Sequence, residues 1–194
     1  MEAMRLRPLV LLLLPLSALA GPATTLRYWI EPCAQSGSQC RPGDPELAEW
    51  ALAAWQDNSQ GHLRLQKTGE RERAHIRIHW ATGSSGQYGE TRPIEVMGAR
   101  GAEVHVLPTV VPDTLEDSLL RDTVVYLTCL HETGHALGLG HTAAFADIMY
   151  SFQYGGDITE YFARYRREIQ MRADIRAHSG ISPADRRRLL ELYR

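Results

Sequence analysis

Apolar and polar residues alternate along residues 26–30 (LRYWI) and again along residues 74–80 (AHIRIHW). That period of two predicts strands with one buried face. Between them, Leu47, Trp50, Ala51 and Ala54 repeat at helical spacing. Asp44-Pro45 predicts an N-cap followed by proline at the first helical position, with Asn58 and Gly61 closing the helix. Residues 62–65 and 103–107 predict two further short strands, the second stopped by Pro108. Residues 83–101 are rich in Gly, Ser and Pro and predict a long functional loop or a bulged edge. Leu115, Leu119, Val124, Leu127 and Leu130 then form one broad apolar face. This predicts a helix opened at Thr114, with Asp117 completing a capping box, that runs on to Leu137. A second helix is predicted from residue 158 to about 178, with Tyr161, Phe162, Tyr165 and Ile169 on one side. Ser182-Pro183-Ala184-Asp185 supplies the cap and proline of a last helix. The order predicts an α+β domain: a sheet layered on helices, with a helical C-terminal part.

Composition narrows the class. A chain of 194 residues, 44% hydrophobic, is large enough for one domain with a real core. A formal net charge of -2 gives no reason to expect a nucleic-acid partner. Residues 1–20 look like an export signal: Arg5 and Arg7, an apolar run at 9–14, then Ala18-Leu19-Ala20 as a small-x-small cleavage site. The apolar run falls short of the roughly 20 residues a membrane span needs. The expectation is a secreted or periplasmic domain of residues 21–194, monomeric by default, with no stable span after signal removal. An oxidising compartment permits disulfides, and Cys33 and Cys40 can close a small loop. Cys129, in an apolar helical context, is expected as a buried free thiol.

The chemistry concentrates in residues 131–141, HETGHALGLGH. On a helix, His131 and His135 stand nearly above one another, about 6 Å apart along the axis, so both imidazoles can reach one ion. Glu132 lies one step round, beside the ion and not needed as a ligand. Gly138 can take positive φ and end the helix, so that His141 returns as a third ligand. Three neutral nitrogens leave one tetrahedral position open, which is the pattern of a catalytic zinc. Glu132 can then act as general base toward water and as acid toward a leaving amine. Five fixed positions at ordinary residue frequencies match by chance roughly once in 10⁷ positions, which favours the functional reading.

His131-Glu-x-x-His135-x-x-Gly138-x-x-His141, followed by Met149 in ADIMYS, resembles the metzincin zinc peptidases, and the spacing to Met149 with Tyr150 after it resembles their matrixin branch. AHIRIHW, YGETRP, AEVHVLP and the closing ISPADRRRLLELYR extend the likeness over most of residues 24–194. The resemblance implies a twisted mixed sheet with two long helices and a Met-turn in which Met149 is a soft floor beneath the metal. It implies an upper subdomain (about 21–141) and a lower one (about 142–194). It also implies a zinc endopeptidase whose polypeptide substrate binds in extended form along an edge strand, for which residues 103–107 and the preceding loop are candidates. Several departures matter. No cysteine-switch segment precedes the first strand. Of the second zinc site of the animal matrixins, only His105 stands roughly in place, beside strand residues His75 and His79. Calcium stays open, with Gly155-Gly156-Asp157 a weak candidate. Ser151 occupies the place of the zinc-ligating tyrosine of other branches, and Tyr154 is assigned to packing or, less simply, to an oxyanion. Residues 150–178 are expected to wall the pocket, with Arg164, Arg166, Arg167, Arg172 and Arg176 as a solvated helix face. The competing readings are a non-catalytic zinc-stabilised exported binding module and a zinc hydrolase of a non-protein amide such as a cell-wall peptide.

Overall fold

A computed structural model describes residues 23–33, 38–82, 88–108 and 117–194. The export signal expected at 1–20 and the helix start expected at Thr114 lie outside them. Five strands form one mixed sheet: β1 (Thr24–Ile30), β2 (Leu63–Lys67), β3 (Ile76–Trp80), β4 (Gly89–Val96) and β5 (Ala99–Val106). Their order is β2-β1-β3-β5-β4. β1 runs parallel to β2 and β3, and β3 parallel to β5. Only β4 is antiparallel, paired with β5 through a hairpin turned at Met97-Gly98. Among the described residues four helices accompany the sheet: α1 (Asp44–Asn58), α2 (Ser118–Ala136), α3 (Ile158–Arg166) and α4 (Pro183–Tyr193). The molecule is therefore α+β, as the patterning predicts. No helix among the described residues is long and apolar enough to cross a membrane.

The period-two pattern is what seats the sheet. Ile76, Ile78 and Trp80 of β3, with Ala102, Val104 and Val106 of β5, are buried. Most of them join Leu47, Ala51 and Trp55 of α1 and the apolar stripe of α2 in one core. Arg77 and Glu103, between these positions, pair with each other on the opposite face. Trp55 donates its indole N–H to the Leu130 carbonyl at 2.9 Å, pinning α1 to α2 one residue before His131. Cys33 and Cys40 are disulfide-bonded, with Cα atoms 5.3 Å apart, and Cys129 is a buried free thiol.

Several boundaries differ from the sequence expectation. β5 is an inner strand, so residues 103–107 cannot offer a free edge. The edge on that side is β4, which lies in the preceding segment, the other half of that candidate, expected as loop or bulged edge; the opposite edge is β2. Gly43, not Asp44, is the N-cap of α1. Asp44 is instead fully buried, and its carboxylate takes both Nη groups of Arg121. Asp117 itself is the N-cap of α2, accepting from the Leu119 and Leu120 amides at 3.0 Å. The helix expected over residues 158–178 stops at Arg166; a 3₁₀ turn at Arg172–Arg176 follows. Its arginines are a solvated face only in part: Arg167 and Arg176 are exposed, whereas Arg164, Arg166 and Arg172 are half-buried. Arg164 lies over the Tyr161 ring at 4.4 Å, Arg166 bonds Asp117 at 2.9 Å, Arg167 pairs with Glu160, and Arg172 bonds the Gly43 carbonyl at 2.6 Å and also pairs with Asp122. Arg176 stands over the Trp50 ring.

Candidate metal centre

α2 carries the first two histidines, and its own ending delivers the third. Gly138 has φ +101°, and the Gly138 and Leu139 amides bond the His135 and Gly134 carbonyls at 2.9 and 3.0 Å. This left-handed closure turns the chain back, as the Gly138 reading predicts, and brings His141 beside His131 and His135. The three Nε2 atoms lie 3.0, 3.1 and 3.3 Å apart. Tetrahedral ligands at zinc-like bond lengths of about 2.05 Å would stand about 3.3 Å apart, so the donor set fits one small cation. The tautomers agree. His131 Nδ1 donates to the Ile148 carbonyl at 2.7 Å and His135 Nδ1 to the Leu139 carbonyl at 2.8 Å. A carbonyl can only accept, so each Nε2 is left with its lone pair facing inward. Burial pushes His131 down to about 4 and lowers His135 and His141 as well, which keeps the imidazoles neutral and ligand-competent.

Among the described residues, one other group has the spacing to hold a metal: Cys33, Cys40 and Asp44. Its thiols are joined in the disulfide and its carboxylate is held by Arg121, which leaves the histidine triad as the candidate metal centre. His79 and His105 stack with centroids 5.2 Å apart, and His75 Nδ1 accepts the Arg27 amide at 3.1 Å. Asp157, the calcium candidate, caps α3 by accepting from the Thr159 and Glu160 amides.

Glu132 is buried beside the triad, 7% exposed. Burial raises its carboxyl to about 7, opposed by a hydrogen bond from Thr91 and assisted by the nearby Glu90 charge. Met149 is fully buried under α2. A Cβ placed on Gly134 would come within 2.4 Å of its Sδ and 3.0 Å of Trp55, so only glycine allows this approach. The turn bearing Met149 is tied to α4: the Asp185 carboxylate accepts the Ile148 amide at 2.7 Å, and Arg188 bonds Asp147 at 3.2 Å. Tyr154 is 57% exposed, so it neither packs nor lines the site.

A cavity of about 480 Å³ opens over the three histidines and Glu132. Its far wall is Leu127, Tyr150, Phe152, Ile158, Tyr161 and Phe162; Tyr88, Gly89, Glu90 and Thr91 close the side toward β4. The segment after Tyr150 does wall the pocket, as expected. The part played by Gly89 and Thr91 was not anticipated. They sit over forty residues from Glu132 in sequence, and nothing in their local pattern signals that proximity. No family model matches this sequence, and no curated protein matches it significantly.

Proposed function

We propose that this chain is an exported zinc endopeptidase of metzincin, matrixin-like type, with His131, His135 and His141 as ligands and Glu132 as general base. The observation that carries the reading is the convergence of three Nε2 atoms, two of them with lone pairs fixed inward, beside one buried carboxylate at the floor of a cavity. A purely structural zinc site has no use for Glu132 or for an open cavity. Zinc held there would supply Lewis acidity, activating water near neutral pH and polarising a carbonyl. Glu132 takes the water's proton at Oε1, because Oε2 is engaged by Thr91, and returns it to the leaving amine. Burial raises this carboxyl and so favours its holding the proton between the two tasks. β4 is the edge strand that borders the cavity, so an extended polypeptide adds to it as a further strand. The aromatic wall then receives an apolar substrate side chain.

Incubating the zinc-loaded protein with a peptide library, and reading cut sites by mass spectrometry, tests this. Internal cleavage next to large apolar residues is expected, abolished by chelator. Glu132→Ala should keep about one zinc and lose roughly 10²–10⁴-fold in rate. His135→Ala and His141→Ala should lose both metal and activity. Stoichiometric zinc without any cleavage would favour the binding-module reading; cleavage confined to cell-wall peptides would favour the other amide.

A further inference from the structure

We infer that Thr91 is the positioning residue for Glu132, a role that rests on the function just proposed. β4 alternates: Glu90 and Arg92 pair with each other on its outer face, while Gly89 and Thr91 turn toward α2. The Thr91 hydroxyl lies 2.7 Å from Glu132 Oε2 and 2.9 Å from the Glu132 carbonyl. It has one proton for two acceptors, and an ionised carboxylate is the stronger of them. Gly89 makes the approach possible. A Cβ there would sit 2.6 Å from Glu132 Cγ and 2.9 Å from Oε1. The strand therefore holds the carboxylate from two sides: glycine leaves room for it, and the threonine hydroxyl fixes which oxygen is engaged. Oε1 is left for the water and Oε2 is spoken for. A threonine suits both demands, since its branched Cβ favours the strand and restricts χ1, and the hydroxyl arrives at low entropic cost. Thr91 touches no reacting atom; it acts through Glu132 alone. The same strand is the one proposed to bind the peptide, so substrate and base are registered by one element.

The test combines Thr91→Val, which removes the hydroxyl and keeps the shape, with Thr91→Ser, which restores it. Two readouts are taken on zinc-treated protein. The first needs no activity: a double-mutant cycle of Thr91→Val with Glu132→Ala in urea unfolding. Thr91→Val should lower the folding equilibrium constant about tenfold more with Glu132 present than in the Glu132→Ala background, the worth of a hydrogen bond to a charged group. The second is peptide turnover. Thr91→Val should lower kcat about 10- to 100-fold, a part of the general-base contribution, with zinc content and KM unchanged, and Thr91→Ser should recover most of it. Absence of coupling overturns the inference, as do equal kcat values for the valine and serine variants. If wild type binds zinc and cuts no peptide, the proposed function falls by itself, and the cycle still decides whether Thr91 holds Glu132.

Discussion

Burial raises the Glu132 carboxyl to about 7 and lowers His131 to about 4, so two neighbours on α2 respond to acid in opposite senses. A carboxyl raised above its unfolded value costs the fold nothing below about pH 4.5 and weighs against it as pH climbs through 7. An imidazole lowered below its unfolded value costs nothing above about 6.5 and weighs against the fold as pH drops toward 4. In metal-free protein the two trends oppose each other across the same window, and His135 and His141 add to the histidine side. Glu132→Gln removes one trend and leaves the other. The metal-stripped variant should be more stable than metal-stripped wild type at pH 8, by about 1–3 kcal/mol for a displacement of this size. That advantage should vanish by about pH 4.5, where the native carboxyl is protonated. Urea unfolding at both pH values checks it; an equal advantage at both would mean that desolvation of the ionised carboxylate is not what raises Glu132.

At the scale of elements, the placement of α2 decides whether the histidines meet, and α1 is what places it. Asp44 in the first turn of α1 and Arg121 near the start of α2 form a bidentate pair, 0% and 6% exposed. The Arg41 amide adds a third contact to the same carboxylate at 2.8 Å. Asp44→Ala leaves the buried guanidinium with only the longer, 3.7 Å contact to Asp122 and should cost about 3–5 kcal/mol. Arg121→Met added to it should recover much of that loss, because the poorly paired charge is then gone. A double variant no more stable than the single in urea would show that the pair is not a coupled unit. Asp44 also shows what pattern reading does with local signals. Asp-Pro before a helix is a cap signature, yet nothing local reveals that an arginine 77 residues away claims the carboxylate. The end of α2 at Gly138 and the three candidate ligands were legible because all their determinants lie within eleven consecutive residues. Strands β1, β2 and β3 were legible from their alternation. β4 was legible only as the bulged-edge alternative and through the likeness of YGETRP, because its glycine and proline disguise a strand that is half exposed at an edge. Thr91 was hidden for the same reason: its partner is set by tertiary register. The helix expected to reach residue 178 ends early where Arg166 turns back to bond the Ile169 carbonyl and Asp117.

Across the whole molecule, the candidate metal centre ties segments that share no strand or helix. His131 is braced by the Ile148 carbonyl, His135 by that of Leu139, and Ile148 in turn by Asp185 of α4. Met149, next in the chain, packs against Gly134 of α2 and Trp55 contacts the same glycine from α1. A cation gripping the three imidazoles therefore couples α2, the loop through Met149 and the C-terminal helix. Metal that binds the folded chain alone stabilises it by about 4 kcal/mol when free metal exceeds Kd a thousandfold. For a domain of this size, about 2–4 °C accompanies each kcal/mol. Stripping with a chelator should thus lower Tm by roughly 8–16 °C on those two relations, and zinc should restore it. Glu132→Ala should keep the whole shift, since the carboxylate is no ligand, whereas His141→Ala should abolish it. Hydrogen exchange should locate the loosening in metal-free protein around residues 139–150, where the histidines brace the Leu139 and Ile148 carbonyls beside the bonds to Asp185 and Tyr161, and leave the β1–β3 strands protected. A Tm indifferent to chelator in fully zinc-loaded protein would mean that the three rings do not close on one ion in the folded state.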